Sequence, residues 1–206
     1  IATANLTIKV LGDNDAPVAQ DDSGTIVEDG TLTVSDGDGT STVAGASFVD
    51  RFSVLSQDSG PDSLAFSTDG TKMFVLGATG DDVNEYTLST GFDVSTASFV
   101  DSFSVSSQDT NPRGLAFNTD GTKMFVTGNN GDDVNEYTLS TGFDVSTASF
   151  VDSFSISSQD TMPAGLAFNT DGTKMFVSMQ GGDDVHEYTL SCLLYTSPSP
   201  RDPTKS

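Results

Sequence analysis

The segment Ala46-Ser47-Phe48-Val49 returns as Ala97-Ser98-Phe99-Val100 and again as Ala148-Ser149-Phe150-Val151, a fixed step of 51 residues. A period of this size constrains a chain more than composition does, because each copy is one supersecondary unit that must bury an apolar face against its neighbours. Residues 46–96 and 97–147 differ at ten positions, and 148–191 differs from its predecessor at eight. Such closeness points to recent duplication. The expected organisation is three units, 46–96, 97–147 and 148–191, with different material before and after them.

Within one copy, ASFVDSFSV, GLAFN, KMFVTG and DVNEYTLS are short runs rich in Phe, Val and Tyr, separated by Gly, Asp, Asn, Pro and Ser. Runs of this kind between turn clusters are strand signals. In the first run, period-2 spacing predicts Phe99, Phe103 and Val105 on one side and Ser98, Ser102 and Ser104 on the other. Asp69-Gly70, Asp120-Gly121 and Asp171-Gly172 recur between the second and third runs, and Asp-Gly favours a tight hairpin because glycine accepts positive φ. Helical spacing is nowhere convincing. Four antiparallel strands every 51 residues match a β-propeller blade, so the expected fold is all-β, a partial propeller of three four-stranded blades. The recurring Phe48, Phe66, Phe74 and Phe92 and their equivalents are expected to form core between blades rather than a sugar-stacking surface.

LAFSTDGTKMFVLG, LAFNTDGTKMFVTG and LAFNTDGTKMFVSM resemble YVTN-type propeller repeats, a likeness that covers residues 46–191. It implies the fold and not a function, since propellers host binding, scaffolding and catalysis alike. Residues 1–45 are a different module, with eight acids against the single base Lys9. Ala4-Asn5-Leu6-Thr7-Ile8-Lys9-Val10 alternates as a strand and runs into GDNDAPVAQDD, which resembles the boundary between VCBS or cadherin-like repeats of large bacterial surface proteins. The expectation there is an Ig/cadherin-like stub. In that family, acidic groups at the junction commonly hold calcium, and Asp13, Asn14, Asp15, Asp21 and Asp22 occupy the matching positions. The residues themselves also allow a solvated acidic loop, because Asp13-Asn14-Asp15 lacks the loop glycine and closing Glu of an EF-hand. After Ser191 the repeat stops: CLLYTSPSPRD resembles translated adapter or vector sequence, so residues 192–206 are read as a non-native tail, and Ile1 is read as the start of a fragment.

Eight Lys and Arg against 30 Asp and Glu leave a net charge of −22, which repels phosphate backbones and anionic headgroups. Nucleic acid and membrane insertion are therefore not expected, and no apolar run approaches the roughly 18 residues of a membrane span. The lone Cys192 excludes an internal disulfide framework. His186, the only histidine, replaces Asn84 and Asn135 of the other copies and reads as a surface substitution rather than a general base. Asp81-Asp82, Asp132-Asp133 and Asp183-Asp184 read as side-chain caps of strand starts. No Ser-His-Asp set and no Gly-rich phosphate loop can be assembled, so the chain reads as a non-enzyme.

Substitutions between copies cluster in two links: Ser59 to Ser63 with Thr110 to Gly114 and Thr161 to Gly165, and Leu76 to Thr79 with Thr127 to Asn130 and Ser178 to Gly181. In an antiparallel meander these two links emerge on one side, and the Asp-Gly turns and STGFDVST links on the other. Loops that vary on a fixed scaffold are how repeat proteins build recognition surfaces, although drift of exposed loops produces the same pattern. Arg113, Asn129, Asn130, Met162 and Gln180 are the candidate ligand contacts, the ligand being a glycan or protein. The functional expectation is an extracellular or cell-surface binding or adhesion module; the alternative is a fragment of a propeller hydrolase or lyase with its catalytic residues in further blades.

Overall fold

Eleven strands account for about half of residues 46–190, the part of the chain that the computed structural model describes. The junction acids Asp13, Asn14, Asp15, Asp21 and Asp22, the cadherin-like stub and the tail 192–206 lie outside the described residues. The chain divides after Phe48 into two units, and every strand among the described residues lies in the second. Among the described residues no helix is long and apolar enough to cross a membrane.

The first sheet is β1 (Pro61–Phe66), β2 (Lys72–Gly77), β3 (Asp82–Leu88) and β4 (Ala97–Ser104), antiparallel in that order. The second repeats it with β5 (Pro112–Phe117), β6 (Lys123–Gly128), β7 (Asp133–Leu139) and β8 (Ala148–Ser155). The third has β9 (Pro163–Phe168), β10 (Lys174–Met179) and β11 (Asp184–Thr189) among the described residues. This is the blade series of a β-propeller. The inner strands β1, β5 and β9 lie side by side, and Ser63 Oγ accepts the Leu115 N–H at 3.2 Å across the first gap.

The sheets do not coincide with the sequence units. The run that opens each copy is the outermost strand of the preceding sheet: β4 pairs with β3 from Asp82↔Ser104 to Leu88↔Ala97, and β8 repeats this on β7. The cause is the STGFDVST link, where a 3-10 turn at Val94–Thr96, capped by the Asp93 carboxylate on Ser95 N–H at 3.1 Å, sends the chain straight back. A blade therefore spans 61–104 or 112–155, and the opening run of the first copy, with no sheet before it among the described residues, forms no strand.

A second departure lies inside β4. The register slips between Glu85 and Tyr86, so Phe99 opposes Tyr86 while Asp101 opposes Glu85, leaving Val100 as the extra residue of a bulge. One inserted residue flips the side chains beyond it. Phe99 thus packs edge-on against Tyr86 of its own sheet at 5.8 Å, while Phe103 packs on Tyr137 of the next at 5.4 Å; the two do not share a side.

Alternation in β2 and β3 gives each sheet two apolar faces. One face of the first sheet, with Phe74, Leu76 and Val83, meets Leu115, Met124, Val126 and Tyr137 of the second. The same face of the second sheet, with Phe125 and Val134, meets Met175, Val177 and Met179 of the third. Full burial of a residue such as Phe74 contributes about 2–3 kcal/mol, so these faces hold the stack together. The expected phenylalanine core is only partly realised, because Phe48 and Phe92 are largely exposed.

A charged tie runs beside each core. Glu85, 1% exposed, takes the Lys72 ammonium at 2.7 Å with one oxygen and the Val145 N–H of the next sheet at 2.9 Å with the other, while Lys72 also donates to the Phe143 carbonyl at 2.7 Å. A buried carboxylate is tolerated here because both oxygens have partners.

Candidate ligand-binding rim

The two varied links of each copy emerge at one end of the sheets, as antiparallel reversal requires. In the second sheet residues 106–111 enter β5 and residues 129–132 join β6 to β7, and they touch directly through Asn129 N–H to Asn111 O at 3.0 Å. The same pair recurs as Ala78 N–H to Gly60 O and Gln180 N–H to Met162 O, both at 2.9 Å. The opposite end carries the Asp-Gly turns and the STGFDVST links, joined by Phe143 N–H to Gly121 O at 3.0 Å.

What fixes the varied rim is an aspartate that the sequence reading passed over. Asp109, 2% exposed, accepts Asn111 N–H at 2.6 Å with one oxygen, and Asn130 and Gly131 N–H at 3.0 and 2.7 Å with the other. Asp58 does the same with Gly60 and Gly80, both at 2.5 Å. One carboxylate thus clamps both links of its copy. The clamp needs the backbone close beside it: a Cβ added at Gly77 or Gly128 would overlap the Asp58 or Asp109 carboxyl. Met179 occupies that position in the third copy, and there Asp160 is only half-buried and accepts from Thr161 and Met162 at 2.5 and 3.0 Å. The signal was present as invariant Asp58, Asp109 and Asp160, but a recurring Ser-Gln-Asp in a loop resembles ordinary turn chemistry.

The five candidate contacts divide by position. Asn130 is exposed, its amide on Thr110 Oγ1 at 2.5 Å, and Met162 and Gln180 are exposed at the same level of the third sheet. Asn129 is half-buried, and its side-chain oxygen is buried without a partner. Arg113 lies one residue inside β5 and pairs with Asp62 of the first sheet at 2.8 Å. That pair spans two inner strands, so Arg113 is partly engaged in holding the sheets together. The varied stretches also overlap strand ends: Leu76, Thr127 and Ser178 belong to β2, β6 and β10, the first two buried and Ser178 half-buried, so the loop parts are 59–60, 110–111 and 161–162 of the first link and 78–79, 129–130 and 180–181 of the second.

The rim is acidic. Burial, with the Asp58 and Asp81 charges nearby, raises the Asp82 carboxyl above its ordinary range, opposed by the Asn84 amide at 2.6 Å; Asp133 is raised in the same way beside Asp109 and Asp132. Asp81 and Asp132 do not cap strands through their side chains. They hold left-handed φ of 52° and 49°, and their carbonyls accept Val105 and Ile156 N–H at 2.8 and 2.9 Å, tethering the next link. Half-buried His186 pairs with Asp184 at 3.1 Å, the contact that Asn84 and Asn135 make in the other copies. The substitution retains a donor at that point. No cluster of three or more metal-ligating side chains occurs among the described residues.

No family model and no curated protein matches the chain. Solved structures do. The chain is similar to a Bacteroides uniformis protein provisionally assigned as a 6-phosphogluconolactonase, at 13% identity and a TM-score of 0.51 over 66% of this chain and 38% of that one. It is similar to the periplasmic gluconolactonase of Pseudomonas aeruginosa, at 19% identity and a TM-score of 0.50 over 66% of this chain and 37% of that one. The β-propeller domain of Cps50 from Myceliophteria thermophila matches at 9% identity and a TM-score of 0.46 over 63% of this chain and 40% of that one. At these identities the likeness is one of fold, and the chain spans well under half the length of the proteins it matches.

Proposed function

We propose that the chain is a binding module of a large extracellular or cell-surface protein, acting in adhesion by presenting the varied rim to a glycan or protein ligand. The observation that supports this most directly is the aspartate clamp, which in the first and second copies brings both varied links to one rim while the Asp-Gly turns and STGFDVST links at the other end keep their sequence. Recognition would proceed without rearrangement of the scaffold. Asn130 and Gln180 offer amide donors and acceptors, Met162 an adaptable apolar contact, and Asn129 and Arg113 the polar floor between them. The YVTN-type repeats and the VCBS or cadherin-like boundary support the surface setting, as does a periplasmic protein among the structures of similar fold. Calcium held by Asp13, Asn14, Asp15, Asp21 and Asp22 would stiffen the junction before the blades.

The test is a glycan array and a panel of purified proteins, probed with the chain and with a variant carrying Asn130→Ala, Met162→Ala and Gln180→Ala. The expected result is a ligand whose affinity falls tenfold or more in the variant and is unchanged by Thr119→Ala and Thr170→Ala at the other rim. Binding lost only through the latter pair contradicts the assignment. A second reading, a propeller hydrolase or lyase fragment, is supported by the likeness in fold to the Pseudomonas lactonase. Turnover of gluconolactone by the chain, abolished by rim substitutions, would favour it over binding alone.

A further inference from the structure

The donor side of the junction between sheets is built twice from the same residues. This donor face carries Lys72, Phe74, Val83 and Glu85 in the first sheet and Lys123, Phe125, Val134 and Glu136 in the second. Phe74 enters between Phe117 and Phe143, with centroids 4.5 and 6.1 Å away, and Phe125 lies 4.7 Å from Phe168. The third sheet presents the face once more, as Lys174, Phe176, Val185 and Glu187, with no described residue against it. Val83 and Val134 are 0% and 4% exposed where Val185 is 65% exposed. Glu85 is 2% exposed at the side chain and takes both Lys72 and the Val145 N–H, whereas Glu187 is 52% exposed and takes Lys174 alone.

The matching receptor lies at the other end of the stack and is partly uncovered: Phe52 and Val54 pack against Met73 and Val75, which are 3% and 5% exposed, and leave Leu64 open beside them. Leu115 is 6% exposed against the first sheet, while its counterpart Leu64 is 56% exposed. Leu64, Met73, Val75 and Val94 line a groove of about 400 Å³ where a preceding sheet's donor face would lie. Beside it Phe66 and Phe92, 5.5 Å apart, stand as Phe117 and Phe143 do around Phe74.

We propose that the third sheet's donor face docks into the first-sheet groove of a second copy of this chain, continuing the stack head to tail. Phe176 then enters between Phe66 and Phe92, Lys174 donates to the Phe92 carbonyl, and the Val94 N–H donates to Glu187. The occupant is set by sequence identity: the two faces are the halves of the interface formed in full between the first and second sheets, whose apolar part recurs between the second and third. The contact is heterologous, so copies close into a ring or extend as an open array according to the rotation at each junction. This goes beyond the binding reading and leaves the varied rim free.

The test is sedimentation of the full chain across the micromolar range at physiological salt, where repulsion between two acidic chains is screened. Val185→Arg and Leu64→Arg each destroy one half of the junction at a position exposed in the single chain. The expected result is self-association of the wild type, single chains for each variant alone, and a two-chain species when the variants are mixed, because the mixture retains one intact junction. A wild type that stays single, self-association surviving in either variant, or a mixture with no two-chain species would each overturn the proposal.

Discussion

Asp109 accepts three backbone N–H groups from two links and is almost fully buried. Removing it strands those donors, and each buried unsatisfied group costs about 1–3 kcal/mol, less where water enters. Asp109→Ala is therefore expected to lower the unfolding free energy by about 2–4 kcal/mol in urea titration. Asp160→Ala, at a half-buried position with two donors, is expected to cost less. Asp133 behaves in the opposite sense. Burial, with the charges of Asp109 and Asp132, raises its carboxyl above the unfolded value of 3.8, so the native state favours the proton and is penalised once pH rises past that value. Asp133→Asn, whose side-chain oxygen still accepts the Asn135 amide, is expected to raise the melting temperature at pH 7, with the gain shrinking as pH falls through the carboxylate range. Exposed Asp69 has the reverse sign: the Thr71 N–H first, then the Ser67 and Thr71 hydroxyls, hold it down at about 2, so its contribution is present above the unfolded value of 3.8 and is lost between there and about pH 2.

At the scale of elements, the Lys72–Glu85 tie joins β2 and β3 to the link before β8, and its weight depends on cover. Glu85→Ala strands a buried N–H and removes the partner of Lys72, so a loss of about 2–4 kcal/mol is expected. Glu187→Ala, at the half-exposed counterpart, should change stability by about 0–1 kcal/mol. Equal effects in the two variants would show that the tie does not act between sheets. Strand identity was legible from residue type, and the four runs of the second copy all appear as strands. Their grouping was not. The copy boundary at Ala97 is defined by where the repeat is first recognised, and any rotation of a period is equally consistent with the sequence; only the tight turn at Val94–Thr96 determines that 97–104 belongs to the sheet before it. The bulge at Val100 was hidden for a related reason: Val100-Asp101 interrupts the alternation of Phe and Ser, but such an interruption does not by itself say that one residue goes unpaired.

For the whole molecule, identical sheets bury identical faces, which leaves the two rims to differ: one closed by unchanging turns, the other assembled from links that vary. That division was readable by comparing copies and needed no coordinates. The clamp beneath the varied rim was not, since nothing in Ser-Gln-Asp announces that its carboxylate reaches across to Asn130 and Gly131. Nor was the inward placement of Leu76 and Thr127, which vary at a buried position. Amide hydrogen exchange, with and without the tightest binder from the glycan and protein panel, tests the account most directly. Slower exchange confined to residues 106–111, 129–132, 157–162 and 180–183 is the expected result; slowing at residues 118–122 and 140–147, with the varied links unchanged, would contradict it.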